Sequence, residues 1–353
     1  MSTRWRSWRS EGDPPLTPYL LGRLAFLGLM LFGLLCLTFA IAHVVPGDPA
    51  RLAAGPDANA AMVETIRAKY GLDRPLGVQF ARYVRGLAAG DLGESLRSRN
   101  AVRDDLARYF PNTFELVTLA LLLAVAVGIP LGMLSAVYKD TWVDHWARVA
   151  SVSGVALPAF WLGLMLQLVI ALYLGWLPLG GRLGLTATPP APLTHLLFVD
   201  AVLRGEWRTF GDAVRHAVLP VVTLSLPALA SIMRVNRAEM LETLQADYIK
   251  TARAQGFSGF RVVTRYALRN AMIPTLTMVG LRYGWMLGGT ILVETVFDWP
   301  GIGLYAVNAA VSSDFQPIMG VTLLIGLNFM LVNLLVDLAY GWLDPRIRRP
   351  SVT

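Results

Sequence analysis

Charge is scarce in this sequence: Asp, Glu, Lys and Arg make up 16% of its 353 residues, where soluble domains carry about 25%. That shortage argues against a soluble globular protein. Lysine is scarcer still. Lys69, Lys139 and Lys250 are preceded by Ala, Tyr and Ile, so no Gly-Lys-Ser/Thr phosphate loop exists and ATP has to be handled by another chain. Cys36 is the single cysteine, which rules out an internal disulfide and a cysteine-based zinc site and leaves the redox compartment undetermined. His43, His145, His195 and His216 are far apart with no His-Glu-x-x-His pattern, and Gly-x-Ser-x-Gly is missing, so neither a metallohydrolase nor a serine hydrolase has its motif here. No catalytic residue, metal ligand or bound cofactor is expected.

What the chain has instead is apolar length. Hydrophobic residues reach 55% and the mean hydropathy is +0.51, which excludes a disordered chain. The apolar residues are bunched into runs, and a bilayer-crossing helix needs about 20 of them in succession because unpaired backbone groups are too costly in hydrocarbon. Six stretches qualify: Leu20 to Val45, Thr113 to Val137, Arg148 to Leu174, Ala217 to Met233, Ala271 to Phe297 and Pro317 to Trp342. The fold class expected is an all-α integral membrane protein with six transmembrane helices. Pro130, Pro158, Pro220 and Pro227 fall inside these runs, which membrane helices tolerate when neighbours satisfy the freed carbonyls. The first run could also be read as a secretory leader, since Arg4, Arg6 and Arg9 precede it and Ala40-Ile41-Ala42 resembles a cleavage site. Its apolar stretch, residues 24–45, exceeds the roughly 7 to 15 residues of a leader core, which favours an uncleaved first helix.

Basic residues set the orientation. With the N-terminus inside, interior segments hold Arg4, Arg6, Arg9 and Arg23, then Lys139 and Arg148, then Arg234, Arg237, Lys250, Arg253, Arg261, Arg265 and Arg269, then Arg346, Arg348 and Arg349, whereas short exterior loops hold Arg182, Arg204, Arg208 and Arg215. Both termini are therefore expected in the cytoplasm. The net charge of +7 gathers beside apolar runs and not on a soluble face, so a nucleic-acid partner is not expected. The organisation that follows is a cytoplasmic segment 1–19, a small helical exterior cap 46–112, an exterior loop 175–216, a cytoplasmic loop 234–270, an exterior loop 298–316 and a cytoplasmic tail 343–353. Trp5, Trp142, Trp146, Trp176 and Trp342 lie near span ends, where tryptophan ordinarily anchors at the headgroups.

The cytoplasmic loop carries the most pattern. Asn236 to Ala254 favours helix, with Met240, Leu241, Leu244, Tyr248 and Ala252 at three- and four-residue spacing. Gly256 to Gly259 breaks it, and a second helical stretch, Phe260 to Asn270, leads into the fifth span. Small Ala252, Ala254 and Gly256 make this a knob that a partner could grip closely; the alternative is an amphipathic hairpin lying on the membrane face.

At these residues the chain resembles the permease subunits of ABC importers, whose loop motif reads Glu-Ala-Ala, three residues, Gly, nine residues, Ile, one residue, Leu-Pro. Lys250-Thr251-Ala252 stand at Glu-Ala-Ala, Gly256 at the glycine, and Tyr266, Leu268 and Arg269 at Ile, Leu and Pro, so Ala252, Gly256 and Leu268 agree with the general form. The departures look like the dipeptide, oligopeptide and nickel branch, whose text Asp247 to Gly256 and Ala267 to Ala271 nearly repeat. Pro46 to Arg51, Gly71 to Pro75, Gly90 to Gly93, Glu294 to Gly303 and Asp344 to Arg348 resemble further landmarks of that branch in order, and the segment near Phe198 to Arg215 is most like its dipeptide members. The resemblance implies a six-helix subunit of the type I importer kind in a prokaryotic inner membrane. It pairs with a homologous second permease, two ATPase subunits that bind ATP and Mg, and an extracytoplasmic substrate-binding protein.

By the same resemblance Asp247, Tyr248, Thr251, Ala252, Arg253, Ala254, Gly256 and Arg269 are ATPase-coupling residues. Gly47, Asp48, Pro49 and Arg51, at the mouth of the first helix, are expected to face the binding protein, with stabilisation of the cap as the alternative. Arg282 and Glu294 are the candidate translocation-pathway residues. Arg282 stands near the middle of the fifth span, where a lipid-facing arginine costs about 2.5 to 3.5 kcal/mol on insertion scales; it either lines the path or pairs with an acid of this chain or the partner permease. Glu294 and Asp337 stand near span ends, where headgroup water is the simpler account. Di- or oligopeptides are the implied cargo, with glutathione or nickel chelates as alternatives. A secondary transporter would need ionisable groups converging near the midplane; Arg282, Asn328 and Asn333 supply no acid. A membrane-embedded enzyme lacks its constellation.

Overall fold

The computed structural model describes residues 16–44, 50–51, 59–71, 73–312 and 314–343. Among them every regular element is helical. In chain order these are α1 (Leu16–Val44), α2 (Ala60–Tyr70), α3 (Leu76–Ala88), α4 (Val102–Val137), α5 (Trp142–Ala156), α6 (Ala159–Leu166), α7 (Leu197–Leu203), α8 (Trp207–Gln245), α9 (Asp247–Ala254), α10 (Leu268–Val296), α11 (Ile302–Val311) and α12 (Phe315–Leu343). A π-type stretch, Gln167–Tyr173, extends α6, and a second, Val262–Ala267, runs into α10.

Four helices are long and apolar enough to cross a membrane: Val102–Val137, Trp207–Gln245, Gly259–Val296 and Phe315–Val336. The expected third span is broken, since Trp142–Ala156 and Ala159–Tyr173 meet at 102°. Pro158 explains the break: it drives the residue before it out of the α region, and Leu157 is extended at φ −80 and ψ 125. Both pieces pack on α8, Gly154 against Leu226 and Ala230 and Gly163 against Thr223. The expected first span falls on α1, 29 residues long, within which Ala25–Ala40 is the apolar part judged. Among the described residues four to five crossings are thus counted by length and composition, where the sequence pattern gives six.

The centre of the bundle is the seam between α4 and α8. Gly128 and Gly132, four residues apart, let the two backbones meet as in small-xxx-small membrane pairs. A Cβ on Gly132 would stand 2.7 Å from the Met233 carbonyl and 2.9 Å from Asn236 Oδ1. Around the seam Leu116, Val117, Ala120 and Ala124 of α4 pack on Leu224, Ala228 and Ile232 of α8, and α10 closes the cluster with Tyr283, Leu287 and Val293. Three hydroxyls inside it are satisfied locally: Thr223, Ser231 and Thr275 bond back to the carbonyls of Leu219, Pro227 and Ala271. That keeps the hydroxyls from standing unpaired in an apolar interior. Leu122, Trp161, Trp285 and Leu331 point outward, as a bilayer environment permits.

The cap segment between α1 and α4 is fastened to α1 and to the near ends of α4 and α11. Phe80 of α3 meets Phe39 of α1 edge to face at 5.2 Å, and Tyr83 and Thr38 share a hydrogen bond of 3.1 Å. Gly71, at φ +65, ends α2 in the left-handed conformation that glycine adopts without cost.

Candidate functional site

The loop end of the bundle begins inside a helix. α8 runs 39 residues to Gln245, past Met233 where the sequence pattern placed the end of the span, so the first part of the 234–270 loop is a rigid continuation of a crossing helix. Ala246 breaks it in an extended conformation, and α9 turns back. At its end Gly256 takes φ +79, while Phe257 N donates to Ala252 O at 3.3 Å and Gly256 N to Arg253 O at 3.0 Å, a helix stop built on a left-handed glycine. Ser258 Oγ then accepts from Arg261 N at 3.4 Å and starts the next turn.

This hairpin has two faces. Inward, Ile249 and Ala252 of α9 pack with Met240, Val262, Ala267, Ala271 and Ala136. Outward stand Asp247, Tyr248, Thr251, Arg253, Ala254, Gly256 and Arg269. Ala252, placed with the coupling residues by resemblance, is buried in this chain. Three residues after Ile249, it lies on the face turned to α8, and its small size serves internal packing. Lys250 and Asp247 pair at 2.8 Å on the exposed face, a surface pair of little stabilising value. Asn270 donates to Tyr248 Oη at 2.6 Å and ties α9 to the start of α10.

Periodicity missed Phe260, which is 80% exposed and stands between Ser258 and the cations Arg261 and Arg265. Its neighbour Phe257 is stacked on Tyr266 at 5.5 Å and covered by the Arg261 guanidinium at 4.9 Å. An outward phenylalanine beside arginines is a feature of protein contact surfaces; its one sequence signal is an aromatic directly after Ser-Gly.

A buried clamp braces the hairpin from below. Asp144 of α5 is fully buried and accepts from Arg237 Nε at 2.6 Å, Arg237 Nη2 at 2.8 Å, Ser135 Oγ at 2.6 Å and Asp140 N at 3.1 Å. The bidentate guanidinium pairing joins α5, the end of α4 and the extension of α8 into one unit.

At the cap end Arg51 is helical and exposed; Gly47, Asp48 and Pro49 lie outside the described residues. Glu294 requires a correction. It is fully buried, with Oε1 accepting from Thr113 Oγ1 at 2.6 Å and Oε2 from Gly303 N at 2.7 Å and Leu304 N at 3.0 Å. Thr113 Oγ1 accepts in turn from Ile302 N at 2.8 Å. Glu294 thus caps the N-terminus of α11 and fastens it to α4, where a carboxylate suits the unpaired N–H groups. Its oxygens are occupied by donors within this chain and not by headgroup water. Beside it Arg182, in the loop before α7, donates to Asn112 and Glu115 and sits over the Trp299 ring at 5.5 Å. Burial pushes the Arg182 pKa down, and Glu115 opposes that shift. Farther along the loop, burial raises the Asp200 pKa, but donation from Thr194, Leu193 and His195 outweighs it and holds the carboxyl below its ordinary value.

Arg282 is half-buried at mid-span, and among the described residues no acid pairs with it.

Comparison with known proteins gives the same lineage along the whole chain. Residues 128–349 match the family described as binding-protein-dependent transport system inner membrane component, and residues 16–117 match its N-terminal companion. The chain is 47% identical over 321 residues to the probable D,D-dipeptide transport system permease protein DdpB of Escherichia coli (strain K12), covering 91% of this chain and 94% of the relative. It is 40% identical over 337 residues to the dipeptide transport system permease protein DppB of the same strain, covering 94% and 98%. It is 39% identical over 330 residues to the glutathione transport system permease protein GsiC of Escherichia coli O6:H1, covering 94% and 98%.

Proposed function

Because the chain belongs to the family of binding-protein-dependent transport system inner membrane components, we propose that it is the membrane permease of an ATP-driven dipeptide importer. The observation that carries this reading is the end-to-end likeness to a dipeptide permease, 40% over 337 residues. The absent phosphate loop fits a division of labour in which hydrolysis occurs on two separate ATPase subunits, with ATP and Mg bound there. A homologous second permease completes the path, and an extracytoplasmic binding protein delivers the cargo. The hairpin's exposed face, Asp247, Tyr248, Thr251, Arg253, Ala254 and Gly256 with Phe260 and Arg269, meets an ATPase. The rigid route from α9 through α8 and the Asp144 clamp then carries its movement into the bundle. Arg51 and the cap face the binding protein.

Reconstitution tests this directly. Proteoliposomes holding this chain, its partner permease and the ATPases encoded beside it should accumulate L-alanyl-L-alanine when supplied with binding protein and internal ATP, and stop when the ATPases are omitted. Accumulation of glutathione in place of alanyl-alanine would move the cargo to that of the glutathione relative, and accumulation without the ATPases would sink the ATP-driven reading.

The proposed orientation places both termini and the α8–α10 hairpin in the cytoplasm. In a Cys36→Ala background, Leu185→Cys, fully exposed in the loop after the third crossing, should react with an impermeant maleimide in intact spheroplasts. Gln255→Cys, exposed on the hairpin, should react only after lysis. The reverse pattern would invert the topology.

A further inference from the structure

On the cap side, away from both the coupling hairpin and Glu294, a cavity of about 130 Å³ opens between the loop before α4 and the helix α11, with Ser95, Arg97, Tyr109, Tyr305, Asn308 and Asp314 on its walls. Asp314 is 1% exposed. Its Oδ2 is fully used, accepting from Ser95 Oγ at 2.8 Å, Leu96 N at 2.7 Å and Arg97 N at 3.2 Å. Its Oδ1 is equally buried, and among the described residues nothing donates to it. A buried carboxylate oxygen left without a donor is costly, and native structures rarely keep one without a ligand or an ordered water.

The surroundings narrow what that ligand can be. The nearby Asp105, by contrast, has a donor on each oxygen: Ser98 Oγ donates at 2.5 Å and the Tyr305 hydroxyl at 2.9 Å to Oδ2, and Asn100 Nδ2 at 3.0 Å to Oδ1. Among the described residues no group of three or more His, Cys, Asp or Glu could hold a metal ion. One free anionic oxygen suits a group that brings several donors and one positive charge, which is a primary ammonium. The paired rings of Tyr109 and Tyr305, stacked at 5.1 Å, supply π faces that favour the same charge. On the same wall the Arg97 side chain is exposed and, among the described residues, has no acidic partner. An unspent anion and an unspent cation therefore share one small cavity without neutralising each other.

We propose that this cavity is an entry subsite for a short zwitterionic peptide, with the free α-ammonium on Asp314 Oδ1 and the C-terminal carboxylate on the Arg97 guanidinium. The proposal rests on the peptide-import reading and adds to it a recognition element within the permease. A cavity of about 130 Å³ admits little more than one residue, so only a short peptide spans both charges; lengthening the chain carries the carboxylate beyond Arg97.

The test uses the assembled complex of both permeases and the ATPases in lipid nanodiscs, without binding protein, titrated with L-alanyl-L-alanine and followed by saturation-transfer NMR. N-acetyl-alanyl-alanine and alanyl-alanine amide should each bind about tenfold or more weakly than the free dipeptide, the scale of one charge-assisted hydrogen bond. Asp314→Asn keeps an acceptor for the Ser95 to Arg97 turn and should cost a similar factor for the free dipeptide. Arg97→Gln, at an exposed side chain, should do the same, and it decides the matter should Asp314→Asn fail to assemble. Equal binding of free and blocked peptides, or wild-type affinity in Arg97→Gln, overturns the subsite and leaves an ordered water as the occupant. Uptake of alanyl-alanine, with binding protein restored, separates the two ideas. Uptake with charge-indifferent binding removes the subsite alone, and charge-selective binding without uptake removes the import reading alone.

Discussion

Asp144→Ala is expected to destabilise the detergent-solubilised protein by about 3 to 5 kcal/mol, the cost of stripping one partner from a buried ion pair and leaving the other uncompensated. The size follows from the geometry. Asp144 is fully enclosed and spends both carboxylate oxygens on four donors, two of them from the Arg237 guanidinium. Without it, Arg237 keeps its position on α8 while its charge faces a cavity shared with Ser135. Arg148, at 3.6 Å from the same carboxylate, loses a weaker contact. The decisive comparison is the double variant Asp144→Leu with Arg237→Leu. Buried pairs replaced by apolar residues are often neutral, so the double variant should melt above the single Asp144→Ala. A double variant no more stable than the single would mean that the clamp's value lies in the packing of α5 and not in the pair. Because the clamp joins the hairpin's base to two crossings, the single variant should also lose coupled uptake, even at temperatures where it stays assembled.

The spans themselves were legible because the bilayer imposes a length and a composition that local sequence cannot hide. Where pattern alone was trusted for boundaries, the structure moved them. Met233 looked like the end of a span because charges begin at Arg234, yet α8 continues to Gln245, since Asn236, Arg237 and Met240 face partners in this chain and not water. Pro158 was visible in the sequence, but whether a proline is absorbed, as Pro130 is inside α4, or breaks the helix depends on what the two halves pack against. The fates of Glu294 and Asp144 were beyond any periodic reading. Their donors lie up to 181 and 93 residues away, and such pairings leave no trace in spacing. Arg282 was legible as an oddity only, half-buried at mid-span in the structure.

Gly256→Trp should abolish productive docking of the ATPase while leaving the membrane part intact. Gly256 sits at φ +79, and a Cβ built there would meet nothing within 4 Å, so an added side chain points into open space in this chain and collides only with a docked partner. One confounding cost is local: a residue with a Cβ in the left-handed region loses about 1 to 2 kcal/mol. Gly256→Asn carries little of that penalty and little bulk, since asparagine visits the region readily, and it should retain most uptake. Phe260→Ala isolates the contact from the other side. With the ring 80% exposed, its removal should shift the melting midpoint of the isolated subunit by little. If Phe260 anchors the partner, the same truncation should weaken ATPase recruitment by a hot-spot amount of about 2 kcal/mol, roughly thirtyfold. The measurement is co-purification of ATPase with affinity-captured permease, alongside uptake. Recruitment unchanged in both Gly256→Trp and Phe260→Ala would assign the hairpin to the membrane surface instead, its arginines on anionic headgroups and Phe260 among the acyl chains.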